Sequence, residues 1–187
     1  MKLNPAKCAF GVSTGKFLRF MVTQRGIEVN SAKVKVILET RIPNNKKELQ
    51  CLTGHLIALG RFISRFIDKL RPFFLTLRGA STFDWTDKCE QAFGAVKHYL
   101  TKPPILSNPK FDEELYMYLA ISYYAVNVVL FRQIRDKEQR SVYYVSKAMV
   151  GTKTRYSQVE QTALALKDAA RKLRPYFQAH QVTVLTN

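Results

Sequence analysis

Residues 115–131 read LYMYLAISYYAVNVVLF, two short apolar runs, 115–121 and 125–131, separated by the small turn Ser122–Tyr124. Apolar runs of this length bounded by a turn point to paired β-strands rather than to a helix. Downstream, SVYYVS (141–146) reads as a third strand, and the stretch from Gln158 to Arg174 as a helix with an apolar stripe of Val159, Ala163, Leu166, Ala170 and Leu173, ended by Pro175. VTVLT (182–186) reads as a fourth strand. Strand, strand, strand, helix, strand describes an antiparallel meander followed by a crossover helix, an α/β or α+β arrangement. A chain ending on such a strand leaves an unpaired edge, which we take as a sign of truncation.

Upstream, residues 86–100 carry a helical stripe of Cys89, Phe93, Val96 and Leu100, with Thr86 as N-cap and Pro103–Pro104 as the stop. Pro109 closes a connector. Residues 46–77 hold a longer stripe, Leu49, Leu52, Leu56, Leu59, Ile63, Phe66 and Leu70, with Gly60 marking a bend and Asn44 or Asn45 as the cap. Lys46, Lys47, Arg61, Arg65 and Lys69 lie off that stripe. Two readings stand for them, a solvated face and a phosphate-contacting face. Residues 8–29 read as a β-hairpin, with Phe17, Leu18, Phe20, Met21 and Val22 between Gly15 and Gly26.

Thirty Lys and Arg against 14 Asp and Glu give a net charge of +16, a field that attracts polyanions such as nucleic acid or an acidic membrane surface. The 47% hydrophobic and 24% charged content is that of a globular protein. Cys8, Cys51 and Cys89 are odd in number and widely spaced, which argues against a disulfide framework or a zinc site and for buried free thiols. Every apolar run is broken by charge before reaching membrane-spanning length, and MKLNPAKCAF lacks a signal-peptide core. The expected compartment is cytoplasmic or nuclear.

These segments, in this order, resemble the pol polyprotein of gypsy-class LTR retrotransposons. LNPAKCAFGVSTGKFLRFMVTQRGIEVN (3–30) is similar to the end of the reverse transcriptase palm with its primer-gripping hairpin. ELQCLTGHLIALGRFISRFIDKLRPFF (48–74) is similar to the thumb helices, and FDWTDKCEQAFGAVKHYLTKPPIL (83–106) to the segment linking them to RNase H. ELYMYLAISYYAVNVVLF (114–131), SVYYVSKAM (141–149), TRYSQVEQTALALKDAARKLRPYF (154–177) and VTVLTN (182–187) resemble the first strands, first helix and fourth strand of RNase H. The resemblance implies four parts. Residues 1–43 would end the palm, 44–80 form thumb-like helices, 81–112 link, and 113–187 form a truncated RNase H-like mixed sheet with one crossover helix.

In the family the activities are RNA-directed DNA polymerisation and hydrolysis of RNA in RNA–DNA hybrids, both through pairs of Mg²⁺ ions held by carboxylates. The polymerase pair would lie upstream of residue 3, and no Asp-Asp dipeptide occurs in the chain. Of the RNase H carboxylates, the first-strand Asp falls on Ala120, in LAIS where the family has TDAS. The helix Glu falls on Glu160, and the fourth-strand Asp on Asn187. Alanine cannot ligate, and the neutral asparagine carbonyl is a weak substitute for a carboxylate. Glu160 has a second reading, because Ser157-x-x-Glu160 has capping-box spacing. The cluster Asp112, Glu113 and Glu114 reads as a solvated turn. Arg19 stands where the family has glycine close to the primer; it either disturbs that approach or contacts phosphate.

The expected function is therefore that of a reverse transcriptase/RNase H-like fragment without catalysis, metal site or resident cofactor. It would hold an RNA–DNA hybrid or other duplex, without a membrane partner, beside other pol domains. Lys16, Arg19, Lys46, Lys47, Arg61, Arg65 and Lys69 are the expected phosphate contacts. The alternatives are an active RNase H within a larger polyprotein, and a decayed element with no function.

Overall fold

The strand order that 115–186 adopts is β6-β5-β4-β7, with β4 (Leu115–Ile121), β5 (Ala125–Gln133), β6 (Gln139–Ala148) and β7 (Val182–Thr186). The structure is a computed structural model that describes residues 11–17, 20–79, 83–134, 138–151 and 156–186. β4 and β5 pair antiparallel, Leu115 opposite Arg132 through Ile121 opposite Val126, and β6 continues the meander. β7 returns parallel to β4 after the crossover helix, as the sequence order requires.

Alternation along β4 sends Leu115, Met117 and Leu119 inward, where they meet α5 (Gln158–Lys172). Of the expected stripe Leu173 is buried, and the residues that α5 itself buries beside it are Ala165 and Ala169. Val159 is 79% exposed and Leu166 38% exposed. Small alanines let the helix approach the sheet closely, and apolar spacing alone does not reveal that preference. Pro175 does not end the helical region. It stands in the first turn of a further short helix, α6 (Arg174–Ala179), where its missing N–H costs nothing.

The second apolar core is built upstream. The hairpin is three-stranded, β1 (Thr14–Phe17), β2 (Phe20–Thr23) and β3 (Gly26–Val29), and the chain then enters a helix not anticipated from sequence, α1 (Ser31–Glu39), capped by Asn30. The long stripe divides at Gly60 as expected, into α2 (Lys46–Ala58), a 3-10 turn at Gly60–Phe62 and α3 (Phe66–Arg78). All seven stripe residues are buried. Asn45 caps α2, accepting from the Glu48 N–H, while Glu48 accepts from the N–H of Asn44. α4 (Asp87–Thr101) starts at Thr86 and buries Cys89, Phe93, Val96 and Leu100. Cys51 is exposed, so the expectation of buried thiols holds for Cys89 and not for Cys51; Cys8 lies outside the described residues.

The two cores are joined by specific bonds. The connector residue Leu106 is tied to its own core by two backbone hydrogen bonds with Ile27 of β3, and its neighbour Ser107 crosses to the sheet, donating to the Ser141 carbonyl of β6. On the sheet face that carries Asn127, Asp68 of α3 accepts from Ser122 Oγ at 2.6 Å and from Asn127 Nδ2 at 2.7 Å. Ser146 closes the cluster, donating to Asn127 and accepting from the Ile67 N–H.

Candidate nucleic-acid interface

Glu160 sits in the first turn of α5, and its carboxylate is already engaged. Its Oε2 accepts from the Ser157 backbone N–H at 2.9 Å and from Ser157 Oγ at 2.8 Å, and Ser157 Oγ in return accepts from the Glu160 N–H. This reciprocal capping box answers two N–H groups that the helix start would otherwise leave unbonded. Hydrogen bonds from Ser157 hold the Glu160 carboxyl below the usual carboxylate range. Ser157→Ala should remove the cap and lower stability by about 1 kcal/mol, read as a shift in the urea midpoint. An unchanged midpoint would show the cap to be idle. The Glu160 bonds should persist at neutral pH and weaken as pH falls through the lowered carboxyl pKa.

Ala120 lies on β4 directly opposite Asn127, and Asn187 falls outside the described residues. Among the described residues no group of three His, Cys, Asp or Glu side chains is arranged to hold a metal ion. At the positions that the resemblance assigns to the family's Mg²⁺ ligands, Ala120 offers no donor atom and the Glu160 carboxylate serves a helix end, a set that does not fit the ion pair. The acidic cluster at 112–114 is a correction of a different kind. Glu113 is not a solvated turn residue; it accepts from Arg132 Nε and pairs with Arg132 Nη2, both at 2.8 Å, and both side chains are largely buried. Glu114 bonds Tyr116 and Thr183.

The expected basic face divides by environment. Lys16 on β1 and Lys47 on α2 are exposed, and Arg19 is outside the described residues. Lys46 donates to the Gly79 carbonyl at the end of α3. Arg65 is exposed in a left-handed conformation and reaches Asp68 at 3.4 Å. Lys69 turns inward over the Tyr99 ring, 4.4 Å from its centroid, and burial followed by the charge of Arg65 lowers its pKa. Arg61 is clamped between the rings of Phe20 and Tyr143. Of the five cations off the helical stripe, Arg61 and Lys69 turn towards aromatic rings that the fold brings beside them, and Lys47 and Arg65 stay exposed. Arg71, which the sequence did not single out, stacks 3.4 Å from the Tyr124 ring centroid.

Among known families, the one described as "RNase H-like domain found in reverse transcriptase" matches residues 85–184. The chain belongs to this family. The RNase H-like chain is 30% identical over its full length to the retrovirus-related Pol polyprotein from transposon 412 of Drosophila melanogaster, of which it spans 15%. It is 27% identical, over 95% of its length, to the transposon Tf2-3 polyprotein of Schizosaccharomyces pombe, of which it spans 13%. The likeness to retrotransposon Pol polyproteins read from the motifs is thereby established. A foamy viral protease–reverse transcriptase in complex with RNA/DNA hybrid shares the fold, with TM-score 0.77 and 18% identity over 97% of this chain and 25% of that one. The same protein in complex with dsDNA gives TM-score 0.76 and 19% identity over 94% and 37%.

Proposed function

We propose that this RNase H-like segment holds nucleic acid by its phosphates and does not cut it. The observation that carries the reading is the engagement of Glu160 in the Ser157 cap, together with the alanine that the sequence has where the family has its first-strand aspartate. Two-metal hydrolysis needs several anionic oxygens around ions roughly 4 Å apart, and those positions here offer a capped carboxylate, a methyl group and an amide. The charge of +16 supports retained binding, as does the shared fold with a reverse transcriptase whose complexes contain dsDNA and RNA/DNA hybrid. Contacts to backbone phosphates position a duplex without reading its bases.

Hybrid binding by the whole chain should weaken steeply with salt. If about four phosphates are neutralised, affinity falls about a hundredfold between roughly 50 and 200 mM salt. Fluorescence anisotropy with a labelled hybrid measures this, and absent binding at low salt would refute the holding role. Incubation of the labelled hybrid with Mg²⁺ or Mn²⁺ should leave it intact. Cleavage that disappears in Glu160→Gln would refute the non-cutting role.

A further inference from the structure

Arg61 is the cation whose surroundings the fold leaves chemically incomplete. Its guanidinium carbon stands 4.7 Å from the Phe20 ring centroid and 4.6 Å from that of Tyr143. Its Nε is buried without a hydrogen-bond partner. Arg25, Arg65, Arg132 and Arg140 each meet a carboxylate, whereas no acidic side chain within 4 Å balances Arg61 among the described residues. A partly desolvated cation held between two ring faces gains some attraction from them, but they leave its Nε–H without an acceptor. Buried donors in native proteins are nearly always satisfied, so an orphan of this kind points to a missing acceptor.

The space beside it has the character such an acceptor needs. Arg61 lines a cleft of about 460 Å³ between the 3-10 turn, α3 and β6, within the size range of small-ligand sites. No acidic residue lines the cleft. Lys172, in the last turn of α5, supplies a second cation from the opposite unit, and Tyr143 and Tyr144 contribute aromatic wall. The larger polar cleft around Arg25, Arg132 and Arg140 makes a contrast, because each of its arginines is already neutralised by a glutamate.

We infer that the cleft between α3 and β6 is an anion site for a terminal phosphate, with Arg61 and Lys172 as its ligands and the tyrosines beside it as a surface for an attached base. A phosphate monoester carries several strong acceptor oxygens and matches the planar fork of a guanidinium held rigidly by two rings. The phosphate source is either a free nucleotide or the 5′ end of a strand. The inference does not depend on duplex holding: a chain that bound no hybrid would still take phosphate here.

The test follows the Arg61 Nε–H resonance by NMR in the full 187-residue chain during titration with inorganic phosphate, adenosine 5′-monophosphate and adenosine, at ionic strength matched with chloride. Phosphate and the monophosphate should shift it saturably, and adenosine should not. Lys172→Ala, an exposed substitution, should weaken that binding at least about tenfold, the order expected for one lost charge-assisted bond. A 5′-phosphorylated tetranucleotide binding more tightly than the free monophosphate identifies a strand end as the source; the reverse order identifies a nucleotide. Absence of a saturable shift, or an Arg61→Met chain that folds and binds phosphate as the wild type does, would overturn the assignment. If Arg61→Met fails to fold, the wild-type titration and Lys172→Ala decide alone.

Discussion

Gly26→Ala is expected to destabilise the protein by about 3–5 kcal/mol, through backbone strain and overpacking combined. The turn between β2 and β3 brings Gly26 to φ +138°, a region that side-chain-bearing residues rarely enter. A Cβ placed there would lie 2.1 Å from the Leu106 carbonyl oxygen and 3.0 Å from its carbon. Leu106 cannot yield cheaply. It is fully buried, its backbone exchanges bonds of 2.8 and 2.9 Å with Ile27, and Ser107 beside it is tied to β6. Relief therefore means breaking the bridge that joins the hairpin to the connector. The expected loss is a large fraction of the ~5–15 kcal/mol that stabilises an ordinary domain. Gly54→Ala is the control. It sits in the middle of α2 with nothing within 4 Å of the added methyl, so the substitution should stabilise by up to about 1 kcal/mol. Urea unfolding of both variants measures the pair, and equal midpoints would show that the hairpin is not seated on Leu106.

The contrast between these glycines indicates what the sequence can and cannot disclose. The leucine stripe of α2 and α3, the Thr86 and Asn45 caps and the strand pair around Ser122 follow from local periodicity and local hydrogen-bonding chemistry, and each is present. The Ser157–Glu160 box is equally local, which is why both of its readings were visible. Asp68 was not visible. Within its helix it reads as one more charge off the stripe, and its partners lie 54 and 59 residues away. The inward turn of Arg61 and Lys69 was hidden for the same reason, since the rings that hold them come from β2, β6 and α4. α5 shows the limit from another side. Hydrophobicity favoured Val159 and Leu166, but closeness of approach selected Ala165 and Ala169. Long-range polar pairing and interhelical distance are properties of the assembled fold, and no single segment encodes them.

Removing the Asp68 carboxylate should be the other severe change. Asp68→Ala deletes two short bonds at once and strands Asn127, which is 6% exposed, without an acceptor for its amide N–H. Bonds to a charged group contribute ~1.5–3 kcal/mol each, and an orphaned buried donor adds to the cost. Because Asp68 keeps some access to water, a net loss of about 2–4 kcal/mol is expected. The same carboxylate bears on position 120, where the resemblance puts the family's first-strand aspartate. Ala120 is the cross-strand partner of Asn127 and stands two residues before Ser122, so both donors to Asp68 flank it. An aspartate at 120 would share the face of Asn127 and bring a second negative charge within about 8 Å of the first. At the effective dielectric of a protein surface that repulsion is about 2 kcal/mol. Ala120→Asp should therefore destabilise the chain by about that amount at neutral pH. In an Asp68→Asn background most of the effect should vanish, giving a coupling energy of about 2 kcal/mol in the double-mutant cycle. Additive behaviour would mean that the two sites do not sense each other. Coupling would mean that the bonds docking Asp68 on the sheet and a carboxylate at position 120 are alternatives, so that placing one there also requires releasing Asp68.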